Sequence, residues 1–492
     1  MDSMTRQRIY NNKIRNAIVC AIIVITGIFY FSTIREGHPW GDDFSAYISH
    51  AKNIVKGIDY KATGYIYNPF YPSFGPRVYP PVFPLLLAPL YKYYGLNLTP
   101  MKIENVLIFL LFLLLLYLIF KKELSFTHLA VMLVIIGFNP FFWDFKDNIV
   151  SDIPFLFFLY LSLLVISKAH GTNGPKRFNL IYPVLAGFFI YISYGTRNVG
   201  FFLLPCLFIY DIIKFKKISV FSIISALTFL IFFILQSVFL YADTSYSDQF
   251  SVKSQVILNN LYAYSCALSD IWANGYNKMF KYLLFAVFSI FSFIGYAARI
   301  KRGITVFEIF SVLYLTLVII WPAHQGARFL IPVIPLYIFY VFIGIENFFI
   351  NQKGAQKLIF AITAAAIFVS YIGKYTTLDY GYIREGIGKK ETKELFDYIR
   401  NNTQKNDIFI FQKPRALALY TGRNASVYHC PSDYRELCKY FKGIKASYLI
   451  AGEPFDADRT YLRLFVERYR NYLEIVYSNQ DFKVYKIKTL PL

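Results

Sequence analysis

Two neighbouring aspartates, Asp42 and Asp43, stand in HPWGDDFSAYISHAKNIVKG (38–57), just after the first long apolar run of the 492-residue chain. Two further acids, Asp147 and Asp152, with Asp144 beside them, open another apolar run in FFWDFKDNIVSDIPFLFFLYLSLL (141–164). Two arginines mirror them. Arg197 ends GFFIYISYGTRNVG (187–200), and Arg328 lies in WPAHQGARFLIPVIPLY (321–337), four residues after His324. A carboxylate at a membrane boundary, within reach of a lipid headgroup, can serve as a general base. Arginines in polar turns between proline-rich helix ends can grip a phosphate through two parallel hydrogen bonds.

Each residue also has a plainer use. Asp42 or Asp43 can cap the helix that follows, but a cap needs only one carboxylate. Asp147 can likewise cap, with Pro154 tolerated in the first turns behind it. Asp152 is harder to explain so, because a carboxylate inside a membrane helix is costly and usually faces a cavity or a partner. Either arginine alone can be a snorkelling anchor.

Hydrophobic residues make up 56% of the chain, aromatics 20% and charged residues 16%. A soluble protein of this size carries about a quarter charged residues. The surplus gathers into about eleven apolar runs, at 16–34, 101–120, 127–142, 149–167, 180–196, 198–213, 219–240, 281–298, 305–321, 328–349 and 356–373. Runs of this length predict a polytopic α-helical membrane protein. The first lacks a small-residue cleavage site and reads as an uncleaved anchor.

The net charge of +21 does not indicate nucleic acid, because the basic clusters fall between apolar runs. With the N-terminus inside, KKE (121–123), SKAHGTNGPKR (167–177), KFKK (214–217), RIKRG (299–303) and NQKGAQK (351–357) all become inside loops, and all are basic. That orientation places 35–100, 241–280 and the tail outside, together with all the acids and arginines named above. A transmembrane module (1–373) thus precedes an extracytoplasmic domain (374–492).

Within the first loop, Phe44, Tyr47, Ile48, Ala51, Ile54 and Val55 fall on one helical face that Gly57 would end. Such a helix is expected to lie flat on the outer bilayer surface. RVYPPVFPLLLAPLYKYYG (77–95) has four prolines and reads as a re-entrant or interfacial segment packed on protein. In the tail, 389–402 reads as an amphipathic helix, 407–412 and 447–452 as buried strands, and 460–477 as a helix leading into a strand. This predicts a small α/β domain. Cys430 and Cys438 could pair, which sequence leaves open.

The early acidic residues, YPPVFPLLLAPLYKYYG, SDIPFLFFLYLSLL, YGTRNVGFFLLP and RFLIPVIPLY, in this order and on one side, resemble the GT-C superfamily of integral-membrane glycosyltransferases. The nearest branch is the bacterial one related to protein O-mannosyltransferases and the lipid A aminoarabinose transferase. The likeness spans about 16–345; KPRALALYTGR (413–423) also resembles tails of bacterial members. It implies a sugar donor on a polyprenyl phosphate, used at the outer face of a bacterial inner membrane, with a lipid, glycan or protein acceptor. By that resemblance a first-loop aspartate acts as base or as an acceptor-orienting carboxylate, with Asp43 favoured over Asp42 for adjoining the helix. A second acid corresponds to Asp147 or Asp152, while Arg328, Arg197 and His324 are candidates for the donor phosphate.

A phosphate is already a good leaving group, so the need is for a base and cations, and the expectation is direct displacement with inversion. No glycine-rich nucleotide loop is present, which suits a lipid donor. No cofactor is firmly expected, although Asp42 and Asp43 could hold a divalent cation. A transporter or flippase for polyprenyl-linked glycans would instead place charges near mid-bilayer and show repeated halves. A polymerase of such glycans lies closer to the main reading.

Overall fold

A computed structural model describes residues 3–170, 180–240, 254–272, 278–322 and 324–490. Parts of the 167–177 and 241–280 loops lie outside the described residues. The chain begins with helix α1 (Ser3–Ser32) and enters a long loop holding α2 (Asp43–Lys56), the short strand β1 (Tyr65–Ile66) and α3 (Val82–Tyr94). The bundle continues through α4 (Thr99–Phe120), α5 (Phe126–Gly137), the short α6 (Pro140–Phe145), α7 (Asp152–His170), α8 (Ile181–Thr196), α9 (Leu203–Phe215) and α10 (Val220–Phe239). Then follow α11 (Ser254–Trp272), α12 (Lys278–Arg302), α13 (Val306–Ile320), α14 (Ile334–Phe348) and α15 (Lys353–Tyr375).

A helix lies on each of the eleven apolar runs. Among the described residues seven are long and apolar enough to cross a membrane, and α5, α8, α13 and α14 are shorter. This is a multi-pass membrane protein. Three of the short helices break at one common end. There α8 gives way to the 3-10 turn Asn198–Phe202, α13 stops at Trp321, and the 3-10 turn Gly326–Leu330 precedes α14. Irregular backbone at the end of a membrane helix is tolerated where it lines a protein cavity. Asn260 of α11 braces one break, its amide donating to the carbonyls of Ile319 and Trp321 at 2.9 and 2.7 Å.

Helix α2 forms where its spacing predicts, and Gly57 ends it at φ 63°. It is not a surface helix, however. Every residue from Phe44 to Ala51 is buried, Ser45, Ser49 and His50 included. The spacing marks the more apolar face, while the polar face is covered by neighbouring chain, with α3 on one side and the C-terminal domain on another. The proline-rich segment forms a 13-residue helix, α3, despite Pro84 and Pro89. Pro84 sits in the first turn, whose N–H groups lack intrahelical acceptors in any case.

The tail folds as α16 (Lys390–Asn402), β2 (Ile408–Ile410), α17 (Pro414–Thr421), β3 (Asn424–Ser426), α18 (Tyr434–Gly443), β4 (Tyr448–Gly452), α19 (Arg463–Arg468), β5 (Leu473–Ser478) and β6 (Phe482–Ile487). The sheet runs β1-β3-β2-β4-β6-β5, parallel from β1 to β4 and antiparallel beyond. Strand β1 comes from the first loop, so loop and tail share one sheet. Gly64 at φ 79° lets the loop approach closely, and a Cβ there would stand 2.9 Å from that of Ala418. Cys430 and Cys438 are both free.

Candidate active site

The two adjacent acids at the start of α2 point to different partners. Asp42 occupies the N-cap position without capping its own helix. Its carboxylate instead accepts the N–H groups of Arg415 and Ala416 at 3.3 and 3.1 Å, in the first turn of α17. It therefore caps a helix of the C-terminal domain, where an anion complements the exposed amides. Burial pushes the Asp42 carboxyl above its ordinary range, against the pull of Arg415 and Lys413.

Asp43, with 29% of its side chain exposed, faces a cavity of about 610 Å³. Its Oδ1 accepts from the Tyr79 hydroxyl at 2.7 Å and from Arg415 Nη1 at 3.4 Å, and its Oδ2 accepts from Arg328 Nη1 at 2.9 Å. Burial alone would raise this carboxyl, but Arg328, Arg415 and the Tyr79 hydrogen bond outweigh it. Asp43 is held well below the usual carboxylate range and is an anion at any physiological pH.

Asp152 begins α7 and is 2% exposed. It is ion-paired with Arg197 and is gripped by Arg328 through Nε at 3.1–3.2 Å and Nη2 at 3.0 Å. Arg328 therefore spans Asp43 and Asp152. The 3-10 turn that carries Arg328 is tied down by Tyr314 of α13, whose hydroxyl donates to the Phe329 carbonyl at 2.8 Å. Asp43, Arg197, Arg328, Gln325 and Tyr79 line one part of the cavity; Val199, Phe202, Leu317, Val318 and Trp321 give it an apolar part.

The other two sequence candidates stand apart from this cavity. Asp147 is 1% exposed and accepts from Arg35 Nε at 2.7 Å and Lys146 Nζ at 2.8 Å, while Asp144 pairs with the same arginine at 2.6 Å. This cluster fastens the start of the first loop to the bundle. The loop is held nearby by Lys102 on the carbonyls of Arg35 and Gly37, and by His38 Nε2 on the Ile149 N–H. His324 is exposed, its ring nearly perpendicular to that of Tyr264 with centres 6.5 Å apart, and its neighbour Gln325 lines the cavity instead.

Sequence reasoning did not single out Arg415, Tyr79 or Gln325. A signal for Arg415 was available: Lys413 and Arg415 flank Pro414 at a helix N-terminus, where the helix dipole disfavours cations unless an acid stands opposite.

No family model matches the chain, and no curated protein matches it significantly. Solved structures do, and they share this chain's fold. ArnT from Cupriavidus metallidurans bound to undecaprenyl phosphate aligns with a TM-score of 0.61 at 11% identity, over 95% of this chain and 97% of that one. The Archaeoglobus fulgidus oligosaccharyltransferase in complex with zinc and sulfate aligns with a TM-score of 0.59 at 13% identity, over 96% and 74%. AglB from the same archaeon, in complex with an inhibitory peptide and a dolichol-phosphate, gives 0.60 at 12% identity, over 96% and 75%. At these identities the likeness is one of fold.

One of these neighbours carries zinc; the carboxylates here are engaged otherwise. They do not fit a divalent ion: Arg328 lies between Asp43 and Asp152, and Asp42 is turned onto α17. Among the described residues no group of three His, Cys, Asp or Glu side chains converges.

Proposed function

We propose that this protein is an inverting glycosyltransferase that moves a sugar from a polyprenyl-phosphate donor to an acceptor hydroxyl or amine on the outer face of a bacterial inner membrane. The observation that carries the reading is the placement of Asp43, Arg328 and Arg197 in one cavity that also has an apolar part. A lipid-linked sugar needs such a pairing, with cations for the phosphate and an apolar lining for the first isoprene units. The solved neighbours bound to undecaprenyl phosphate and dolichol-phosphate support this donor class.

In the reaction the acceptor oxygen or nitrogen attacks the anomeric carbon from the side opposite the phosphate. Its proton passes to Asp43, the anomeric C–O bond breaks, and the polyprenyl phosphate departs against Arg328 and Arg197. With Arg328 on its Oδ2, Asp43 is a poor base. A donor phosphate competes for Arg328, and once that guanidinium turns to the phosphate, Asp43 is relieved of one cation and becomes more basic. Donor binding therefore prepares the base. Asp152, clasped by both arginines, sets where their forks stand.

The basic loops at 121–123, 214–217, 299–303 and 351–357 all follow or precede helix ends opposite the cavity, which supports an outward-facing site by the positive-inside rule. Placement of the charges at this end, against the C-terminal domain, disfavours a transporter, whose sites lie near the midplane. The test is transfer in vitro from a panel of polyprenyl-phosphate sugars to hydroxyl and amine acceptors. Product of inverted anomeric configuration is expected, and a retained configuration refutes single displacement.

A further inference from the structure

One turn of the C-terminal domain touches both acids of the Asp42–Asp43 pair. The backbone N–H of Arg415 goes to Asp42 at 3.3 Å, and its guanidinium goes to Asp43 Oδ1 at 3.4 Å, to the Tyr79 hydroxyl at 2.7 Å and to the Pro76 carbonyl at 3.0 Å. That guanidinium is buried, with a side chain 2% exposed, and lies 4.7 to 4.9 Å from the ring centres of Tyr65, Phe74 and Tyr79. It does not line the cavity, whereas Phe74, Gly75 and Tyr79 do. Arg415 is therefore screened from any ligand in the cavity yet bonded to the one carboxylate oxygen that Arg328 leaves to others.

We propose that Arg415 is a positioning residue of the site, by which the C-terminal domain holds Asp43 Oδ1 in place while Arg328 turns to the donor phosphate. This rests on the glycosyl-transfer reading for its purpose but not for its geometry. Oδ1 stays fixed by Arg415 and Tyr79, Oδ2 is released toward the acceptor, and the carboxylate keeps its aim through the exchange. An undocked C-terminal domain would lose both the aim and the charge, so the site is complete only when the tail is seated on α2. The charged and titratable groups around Asp43 include Arg328 from the turn before α14, Arg415 from α17, Tyr79 from the first loop, Asp42 beside it, and Arg197 and Tyr47 on the same cavity wall.

The test is a titration of the Asp43 carboxylate by difference infrared spectroscopy, full-length wild type minus D43N, in detergent without added lipid phosphate. Wild-type Asp43 is expected to titrate below the ordinary carboxylate range. Arg415→Met should move that midpoint up by about one pH unit or more, since an adjacent opposite charge is worth about one to three. Arg415→Lys should leave it within about half a unit while lowering transfer about tenfold through loss of the fork. If methionine loosens the domain, Arg415→Gln keeps a donor for the Pro76 carbonyl, and the same upward move is expected. A midpoint unmoved in the neutral variants overturns the proposal. Transfer activity does not enter this titration. A midpoint that follows Arg415 while D43N still transfers sugar sinks the proposed function alone; D43N inactive with an unmoved midpoint sinks this inference alone.

Discussion

Replacing Arg328 by methionine removes a side chain that joins Asp43 to Asp152 while keeping much of its apolar stem. Arg328 makes contacts of 2.9 Å to Asp43 and 3.0 to 3.2 Å to Asp152. At an effective dielectric of about 20, each such pair is worth about 4 kcal/mol before the cost of burying the charges. Breaking a buried pair typically costs about 3–5 kcal/mol in stability. Here Asp152 keeps Arg197, and Asp43 keeps Arg415 and Tyr79, so the loss should be smaller, about 2 kcal/mol. The larger effect falls on the rate. Removal of a donor that stabilises the leaving charge lowers kcat by about 10²–10³. The assay is steady-state transfer from a polyprenyl-phosphate sugar, with undecaprenyl phosphate affinity read in parallel from the fluorescence of Trp321 in the cavity wall. A variant that folds, binds the lipid as wild type does, and transfers within about fivefold of it refutes the assignment of Arg328 to the phosphate.

Asp147→Asn should act on stability and not on donor binding, because that side chain is locked to Arg35 and Lys146 away from the cavity. The variant should lower the unfolding free energy by about 3 kcal/mol with undecaprenyl phosphate affinity unchanged; the reverse pattern would return Asp147 to the site. The first loop should also loosen in acid. His50 Nδ1 donates to the Tyr60 carbonyl at 2.9 Å and Nε2 accepts the Tyr79 N–H at 3.3 Å, and burial lowers its pKa from 6.5 to about 4. Burial lowers that of His38 likewise, to about 3. Between pH 6.5 and 4 the unfolded loop binds protons that the folded loop refuses, so stability is complete above that window and falls as pH drops through it. Hydrogen exchange of residues 44–60, corrected for its intrinsic pH dependence, should speed up from pH 6.5 to 5. Equal protection at both values would show that neither ring resists protonation.

The helices were legible because each is written locally. Apolar runs mark the spans, and the spacing from Phe44 to Val55, with Gly57 behind it, marks α2. What covers α2 was not legible, since its polar face is met by α3 and by a helix more than 350 residues further along the chain. The same separation hid the division of labour in the aspartate pair. A doublet of acids before a helix reads as a cap plus one spare, and only the fold shows that the cap serves α17 and the spare faces the cavity. Asp152, Arg197 and Arg328 were legible through cost, because charges beside apolar runs need partners, and here they partner one another. Asp147 satisfied the same criterion and found its partners elsewhere, in Arg35 and Lys146. Cost of burial identifies residues that must be paired without identifying the pair. Strand β1, two residues long, carries no periodicity from which its place in the tail's sheet could be read.

The most direct measurement is the transfer rate of Asp43→Asn against wild type, both loaded to equal occupancy with the same polyprenyl-phosphate sugar. With Asp43 as the base, the amide should slow transfer by about 10²–10⁴ while the lipid remains bound. A D43N enzyme that transfers within about threefold of wild type would contradict it, and the base would have to be sought outside this carboxylate–arginine cluster.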